Sequence, residues 1–385
     1  MEGLRPPLSL YVHLPWCARK CPYCDFNSYA AAGAPPRQRY LRALIDDLAA
    51  ESERAAGRPL ISVFLGGGTP SLFEPAEIGA LIDAVAARFR LAADIEITLE
   101  ANPGTVECGD PAGYRRAGIN RISLGAQSFD DGALGKLGRI HEAADIARAF
   151  GSAREAGFDN INLDLMYALP GQTNAGALAD IEAAAGLGPE HLSWYQLTLE
   201  PNTVFHARPP AGLPDADAAA DMQVLGQALL AELGYEQYEV SAYARGPRRS
   251  VHNLNYWLYG DYLAVGAGAH GKLTAGDQVL RCAKPANPLA YMEAIESGTY
   301  EPELQPRGPD ERLFEFMLNA SRLTAGFDEA VFERHTGLGR DLLRERLAGA
   351  LEKGLIGQPE PGTWRPTALG AQFLNNLQAE FLPAA

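Results

Sequence analysis

The feature that most constrains the fold of this chain is a unit that recurs six times in its first two-thirds. Each unit begins with a short apolar run typical of buried strands, and a stretch with helical spacing follows most of these runs. Strands that alternate with helices predict a parallel sheet with right-handed crossovers. An open doubly wound sheet and a complete or partial barrel both satisfy this order, and the order alone does not choose between them.

The repeated region contains six predicted strands and five predicted helices. The strands are Leu8–Leu14, Ile61–Gly66, Ile95–Glu100, Arg121–Gln127, Asn160–Ala168 and His191–Glu200. The helices are Tyr40–Ala56, Ala76–Phe89, Glu142–Ala156, Ala175–Ala185 and Ala216–Leu233. Gly57, Gly157 and Gly234 stand where helix C-caps belong, which supports these boundaries.

The last third of the chain has a different composition. Residues 246–304 contain aromatic and glycine-rich pieces and are predicted to be irregular. From about Pro306, three short helices, a hairpin and a last helix predict a small, mostly helical domain that resembles a winged helix. The three helices and the hairpin are predicted at Glu311–Leu318, Asp328–His335, Arg340–Lys353 and Gly357–Pro366. We therefore expect an α/β domain over residues 1–245, a linking segment over 246–305 and a helical C-terminal domain over 306–385.

The charge of the chain excludes some classes of partner. Its 385 residues carry a net charge of −15, which opposes a surface that follows the phosphates of DNA or RNA. We therefore favour a packing role for the winged-helix-like domain and expect no nucleic-acid partner. The sequence has no apolar run of the roughly 18 residues that a membrane span needs, and no signal-peptide pattern at its start. We expect a cytoplasmic protein that makes at most transient contact with a membrane.

The strongest chemical signal is the sequence Cys17-Ala-Arg-Lys-Cys21-Pro-Tyr-Cys24, directly after the first predicted strand. Thiolates are soft ligands that suit an iron–sulfur cluster or zinc. Three protein ligands leave one position open, whereas a structural zinc site is normally closed by a fourth. A zinc knuckle with a borrowed ligand is the alternative. The loop belongs to the edge of a parallel α/β fold where functional residues gather.

Further polar or glycine-rich groups stand at the ends of later strands. The run Gly66-Gly67-Gly68-Thr69-Pro70 follows the second strand, and glycines permit close backbone approach to a ligand. Glu100 closes the third strand, Gln127 closes the fourth and Asp164 lies within the fifth. An acid inside an apolar strand is costly unless it is paired. Each residue alone has an equally good structural explanation, but their recurrence at successive strands predicts a shared site.

Together with the cysteine spacing, these residues resemble the radical S-adenosylmethionine (SAM) superfamily. The resemblance implies a partial (β/α)6 barrel in which Cys17, Cys21 and Cys24 hold a [4Fe–4S] cluster. The amino and carboxylate groups of SAM would chelate its open iron. Over roughly its whole length the chain is similar to the anaerobic coproporphyrinogen III oxidase group. That similarity implies SAM contacts at Tyr11, Gly67, Gly68, Thr69, Glu100, Gln127, Arg139 and Asp164, and the assignment of Arg139 rests wholly on it.

The oxidase group contains two functions, and two departures count against the enzyme. The oxidase, which decarboxylates coproporphyrinogen III by radical chemistry, has a motif resembling CxxxCxxCxC. Here Phe26 stands at the position of the additional cysteine. The oxidase also has an N-terminal extension, whereas the first predicted strand here begins near Leu8. Because of these two departures, oxygen-independent coproporphyrinogen oxidation is not the favoured function, and it is kept as the alternative.

The other branch is the HemW-type haem chaperones, whose mark is HNxxYW. This chain has His252-Asn253-Leu254-Asn255-Tyr256-Trp257. Neutral imidazole is a good haem ligand, and aromatic rings pack on porphyrin faces, so His252, Tyr256 and Trp257 are haem-site candidates. The alternative is a loop histidine beside two core aromatics.

The resemblance to this branch also implies partners. It implies transfer of haem to acceptors such as respiratory-chain cytochromes or bacterioferritin, and it allows a cluster-linked homodimer. His270, in the glycine-rich run Val265–Gly271, is a second ligand candidate. A bulged strand with a hydrogen-bonded histidine explains that run equally well.

Overall fold

The computed structural model describes residues 5–31, 33–104 and 108–383. Within these ranges the strands are β1 (Leu8–Leu14), β2 (Trp16–Cys17), β3 (Tyr29–Ala30), β4 (Leu60–Gly67), β5 (Leu91–Ala101), β6 (Arg121–Gln127), β7 (Ile161–Tyr167), β8 (His191–Gln196), β9 (Glu236–Glu239), β10 (Ala242–Ala244), β11 (Asp261–Val265), β12 (His270–Ala275), β13 (Gln278–Ala283), β14 (Gln305–Pro306), β15 (Phe327–Asp328), β16 (Ile356–Glu360) and β17 (Thr363–Pro366). The helices are α1 (Arg37–Ala55), α2 (Pro75–Arg88), α3 (Pro111–Arg116), α4 (Asp131–Lys136), α5 (Ala143–Glu155), α6 (Asn174–Leu187), α7 (Val204–Ala207), α8 (Ala216–Glu232), α9 (Val251–Trp257), α10 (Pro288–Glu296), α11 (Pro309–Ala320), α12 (Glu329–Thr336), α13 (Arg340–Glu352), α14 (Ala368–Gln372) and α15 (Leu374–Ala379), with a 3-10 turn at Pro70–Leu72.

One large sheet organises the fold. Its strand order is β14-β13-β12-β11-β1-β4-β5-β6-β7-β8-β10-β9. The six strands predicted from the repeat are β1 and β4 to β8, and they lie side by side in chain order and pair in parallel. The sheet has two edges, β9 and β14, rather than closing on itself. The parallel pairing and the open edges are what a partial barrel requires.

The core of this sheet follows from its apolar strands. Leu10, Leu65, Leu99, Leu124 and Leu163 lie on five neighbouring strands and are fully buried. Burying one such side chain contributes roughly 1.5–3 kcal/mol. Because the strands are parallel, their carboxyl ends meet at one edge, and the loops that carry the sequence motifs converge there.

The irregular structure predicted for residues 246–304 is wrong. This segment contains α9, α10 and three strands, and β11 pairs in parallel with β1 as a seventh parallel strand. The strand begins with Asp261, which is buried but bonded to Lys272 at 2.9 Å and to Arg58 at 2.7 Å. This strand is difficult to recognise in the sequence, because it is only five residues long and begins with a charged residue. The two cations that pair with this residue come from other elements, so the local sequence does not reveal them. The division of the chain at residues 245 and 305 stays a prediction.

The C-terminal region contains the predicted helices as α11, α12 and α13, and the hairpin as β16 and β17. A short strand, β15, pairs with β17 to make a three-stranded antiparallel sheet. The region has its own apolar core, which includes Phe316, Phe332, Leu347 and Trp364. Its winged-helix-like character stays a prediction. None of the helices in the described part of the chain is long and apolar enough to cross a membrane.

Candidate functional site

A cavity of about 470 Å³ lies among the loops that follow the parallel strands. Its lining includes all three predicted cluster cysteines and seven of the eight predicted SAM contacts. These residues are Cys17, Cys21, Cys24, Gly67, Gly68, Thr69, Glu100, Gln127, Arg139 and Asp164. The sequence-predicted residues therefore come together in one space, although their individual roles stay predictions.

The cysteine loop is stabilised by hydrogen bonds to its own backbone. Cys17 ends β2 and is buried, whereas Cys21 and Cys24 are half-buried. Lys20 fastens the loop by donating to the carbonyl oxygens of Phe26 at 3.1 Å and of Ser28 at 3.0 Å. This arrangement holds three thiols at the rim of one cavity.

Burial favours the protonated form of the Cys17 and Cys24 thiols. It raises the pKa of the Cys17 thiol to about 11 and also raises the pKa of Cys24. Arg139 Nη1 lies 3.6 Å from Cys21 Sγ, and Ser28 Oγ lies 3.7 Å from Cys24 Sγ, so polar groups stand ready to stabilise thiolates. The described residues include no group of three or more His, Cys, Asp or Glu side chains placed to hold a single metal ion. In a [4Fe–4S] cluster, by contrast, each thiolate binds a different iron.

The glycine run at the end of β4 is required because neighbouring atoms leave no room for side chains. A Cβ on Gly67 would lie 2.5 Å from the His13 ring, and the φ angle of Gly67 is +115°. A Cβ on Gly68 would lie 2.6 Å from the carbonyl oxygen of Trp16. Side chains are therefore excluded at both positions, and the bare backbone of the run faces the cavity.

Two half-buried carboxyl groups give the cavity its electrostatic character. Burial and the negative charge of Asp164 together raise the pKa of Glu100 to about 8, although the backbone N–H of Gly67, 3.2 Å away, partly opposes this. Burial also raises the pKa of Asp164, against the effect of N–H and O–H donors from Asn162 at 2.8 Å and Ser123 at 3.0 Å. Such a pair favours a ligand that brings positive charge or N–H donors.

Gln127 and Arg139 are held in defined positions beside these acids. Gln127 ends β6 with φ +69°, a conformation that costs a non-glycine residue about 1 kcal/mol or more and is often found at functional sites. Its Oε1 accepts a hydrogen bond from the Tyr195 hydroxyl at 3.0 Å. Arg139 donates to Gly125 O at 2.9 Å and to the side-chain oxygen of Asn102. These contacts hold the Arg139 guanidinium in the wall of the cavity.

Sequence reasoning missed Asn102 and Tyr195, which line the same cavity. Asn102 donates to Thr69 Oγ1 at 3.0 Å and so links the second and third strand ends. Asn102 directly follows β5 and Tyr195 lies near the end of β8. The rule that selected the other strand-end residues would have found both of them.

Tyr11 lies apart from the other predicted SAM contacts. It lines a second pocket of about 430 Å³, together with His13, Phe26 and His270. Gly67 and Glu100 line both spaces and form part of the wall between them. The Tyr11 hydroxyl donates to His13 Nδ1 at 2.9 Å, because His13 Nε2–H donates to the carbonyl oxygen of Asn27 at 2.9 Å. A SAM contact by Tyr11 stays a prediction.

The HNxxYW residues form helix α9 and divide between its two faces. Residues four apart share a face of a helix, so Asn253 and Trp257 both line the main cavity. His252 and Tyr256 lie on the other face, and Tyr256 lines the second pocket. His252 is thus a buried helical residue rather than the loop histidine of the alternative interpretation.

The His252 ring lies inside the protein, with 1% of its surface exposed. It packs against Phe64, with ring centroids 4.9 Å apart, and against Tyr256 at 4.8 Å. Burial lowers its pKa to about 3, so the ring is neutral at physiological pH. His270, by contrast, is exposed at the start of β12, where it pairs with Ala283. The run Val265–Gly271 connects β11 to β12 and is therefore not the single bulged strand of the alternative interpretation.

Comparisons with known proteins identify relatives along the whole chain. The pattern of the radical SAM superfamily matches residues 11–184. The chain is 46% identical to the Heme chaperone HemW of Escherichia coli over 378 residues, 98% of both proteins. It is 34% identical to the Heme chaperone HemW of Bacillus subtilis over 380 residues, 97% of this chain and 99% of the relative. Its structure resembles the coproporphyrinogen III oxidase HemN of Escherichia coli with a TM-score of 0.81 and 24% identity, over 98% of this chain and 90% of HemN.

These findings confirm the predicted radical SAM fold, and the likeness to HemN shows the fold alone. The superfamily implies a [4Fe–4S] cluster and SAM as cofactors. The donor set of the main cavity fits both, because it combines three thiols on one loop, a bare glycine backbone and two half-buried carboxyl groups. The full-length identity to curated relatives shows that the chain belongs to the HemW haem chaperone family of the radical SAM superfamily.

Proposed function

We propose that this protein is a haem chaperone, which binds haem and passes it to acceptor proteins. The observation that carries the proposal is His252, whose buried Nε2 atom has no hydrogen-bond partner among the residues that the structure describes. An imidazole with one unpaired nitrogen is the form that binds haem iron. The names of the full-length relatives support the same function.

In this proposal the main cavity holds the resident cofactors. Cys17, Cys21 and Cys24 ligate a [4Fe–4S] cluster, and SAM binds beside it. The glycine backbone and the carboxyl groups of Glu100 and Asp164 receive its polar groups. The other contacts are Tyr11, Thr69, Gln127 and Arg139. When bound, the reduced cluster supplies an electron to SAM, and the residues of this chain orient the two and exclude water.

Haem would bind through the helix that carries HNxxYW. His252 supplies the axial nitrogen and the ring of Tyr256, on the same face of α9, packs against the macrocycle, whereas Trp257, on the opposite face, would reach haem from the main cavity. The guanidinium of Arg322, 4.2 Å from the centre of the Trp257 ring, supports that ring from the C-terminal region. Acceptors such as respiratory-chain cytochromes or bacterioferritin, a cytoplasmic location and a cluster-linked homodimer belong to the same proposal. We propose no nucleic-acid partner and at most transient membrane contact.

The test is a haem titration of the anaerobically reconstituted protein, followed through the Soret band. His252→Ala should weaken haem binding and change the spectrum, because it removes the axial nitrogen. His206→Ala is the matched control, since His206 is an exposed histidine that lines none of these pockets. If His252→Ala binds haem with unchanged affinity and spectrum, the assignment of His252 is refuted.

Coproporphyrinogen oxidation is the second candidate, because the three thiols and the carboxyl groups that line the main cavity would serve radical chemistry equally well. Phe26, in place of the additional cysteine, is 58% exposed at the rim of the main cavity. An anaerobic assay with coproporphyrinogen III, SAM and a reductant decides between the candidates. Formation of protoporphyrinogen would establish the enzyme, and its absence beside a working oxidase would support the chaperone.

A further inference from the structure

The imidazole of His252 makes a hydrogen bond through one nitrogen, and the direction of that bond can be deduced. His252 Nδ1 lies 2.9 Å from Ser62 Oγ. Ser62 donates its own proton to Ser9 Oγ at 2.7 Å. Because a hydroxyl has a single proton, Ser62 must accept from His252, so Nδ1 carries the ring proton. The lone pair is therefore on Nε2, the atom without a partner in the described structure.

The two serines that set this tautomer are part of the parallel sheet. Ser9 on β1 and Ser62 on β4 are register partners, and both are fully buried. Asn255, one turn after His252 on α9, donates its side-chain N–H to Ser9 Oγ at 2.9 Å and to Asp261 O at 2.8 Å. The hydrogen bonds are therefore fixed by two core strands rather than by mobile side chains.

The His252 imidazole is packed against three aromatic rings. Phe64 and Tyr11 lie on the core strands β4 and β1, with ring centroids 4.9 and 6.5 Å from that of His252. Tyr256 lies 4.8 Å away on α9, is half-buried, and lines two pockets. His252 lines neither pocket, so a ligand in either of them contacts Tyr256 but not His252.

A buried nitrogen without a partner destabilises the folded protein, because it has lost its hydrogen bond to water without a replacement. Histidines that bind metals ordinarily donate their other N–H to a fixed acceptor, which orients the ring and raises its basicity. The Ser62 hydroxyl provides such an acceptor, and coordination of Nε2 would remove the cost of the unpaired atom.

We propose that Ser62 is a positioning residue that presets Nε2 of His252 as the axial haem ligand, and that Tyr256 covers this nitrogen until haem binds. The inference rests on the proposed function, in which His252 binds haem. It adds the residue that fixes the tautomer and the side chain that must move.

The first test measures haem affinity and the iron–histidine stretching frequency by resonance Raman spectroscopy of the ferrous haem complex. Ser62→Ala removes the acceptor of Nδ1–H. We expect about a 10- to 100-fold weaker haem affinity and a lower stretching frequency, because the ring becomes less basic. Ser62→Thr keeps a hydroxyl and is expected to restore the frequency toward the wild-type value.

The control for this test loosens the same helix without touching the His252 ring. The side chain of Ser250 caps α9 by accepting the Asn253 N–H at 3.3 Å, so Ser250→Ala should destabilise the helix but leave the frequency unchanged. If Ser62→Ala keeps wild-type affinity and frequency while His252→Ala loses haem, the role of Ser62 is refuted and the proposed function stands. If His252→Ala also binds haem normally, the assignment of His252 is refuted together with the role of Ser62, whereas the proposed function itself fails if the wild-type protein binds no haem.

The second test measures the rate of haem association by stopped-flow spectroscopy. Tyr256→Ala removes the cover and should raise the association rate constant severalfold, since binding no longer waits for a ring to move. Tyr256→Phe keeps the ring and should bring the rate back toward the wild-type value. Equal rates in all three proteins would overturn the covering role of Tyr256.

Discussion

Glu100 provides a quantitative test of the SAM site, because its protonation state should change when SAM binds. Burial beside Asp164 raises the pKa of Glu100 to about 8. At pH 7 the carboxyl group is therefore about 90% protonated in the ligand-free protein. SAM carries a sulfonium cation and N–H donors, which favour the ionised carboxylate. Binding should therefore expel a proton at pH values below about 8.

The size of the effect on SAM affinity follows from the difference between the pKa of Glu100 and the pH of the measurement. Ionising a carboxyl group of pKa about 8 at pH 7 costs about 1.4 kcal/mol, or a factor of ten in affinity. This cost rises as the pH falls below 8 and disappears above it. The contribution of Glu100 should therefore tighten SAM binding about tenfold from pH 7 to pH 9, and the dissociation constant should level off above that range.

Isothermal titration calorimetry in buffers of different ionisation enthalpy counts the protons directly. The α-amino group of SAM also loses a proton if it binds iron, so the informative quantity is the difference between variants. Wild-type protein should release about 0.9 proton more than Glu100→Gln at pH 7. Asp180→Asn is the matched control, because Asp180 is a buried carboxyl group with a raised pKa, about 6, that does not line the cavity.

The predicted difference in proton release can be refuted directly. If wild type and Glu100→Gln release equal numbers of protons at pH 7, Glu100 does not ionise when SAM binds. A pH-independent difference in SAM affinity between the two proteins would lead to the same conclusion. Either result would refute the ionisation of Glu100 on SAM binding.

Three further changes test the site and the core. Gly67→Ala forces a Cβ to within 2.5 Å of the His13 ring, so SAM affinity and the midpoint of thermal unfolding should both fall, the latter by the equivalent of about 1 kcal/mol or more. Phe26→Cys introduces the additional cysteine of the oxidase motif, yet it should give no protoporphyrinogen in the anaerobic coproporphyrinogen assay; product formation would contradict the chaperone assignment. Lys272→Met removes one of the two cationic partners of the buried Asp261 carboxylate, and urea unfolding should show a loss of roughly 1.5–3 kcal/mol, whereas an unchanged midpoint would refute it.

The arrangement of the main cavity could be predicted because its residues follow a geometric rule. Parallel strands place their carboxyl ends at one edge, so Gly67, Glu100 and Gln127 had to meet once the strands were recognised. The strand boundaries were readable because β1 and β6 are short segments in which apolar residues recur. The cysteine loop lies at the same edge of the sheet because it directly follows β1.

Other features depend on contacts between distant residues and are not readable in this way. β11 is a strand because Asp261 finds cationic partners in the fold. Arg139 lies in the cavity because Gly125 and Asn102 accept its N–H groups. The motif HNxxYW marks a candidate haem site, but the sequence does not reveal that His252 is buried.

Helix α9 explains how two ligand spaces can belong to one function. One face of the helix contributes Trp257 to the main cavity, and the opposite face contributes Tyr256 to the second pocket. The carboxylate of Glu96 on β5 anchors its first turn by accepting the backbone N–H groups of Val251 and His252, each at 3.1 Å. Because this anchor belongs to a core strand, we infer that the end bearing Tyr256 and Trp257 moves more easily than the end bearing His252. A ligand that displaces Tyr256 would then act on the same turn that carries Trp257, which gives the two spaces a direct physical connection.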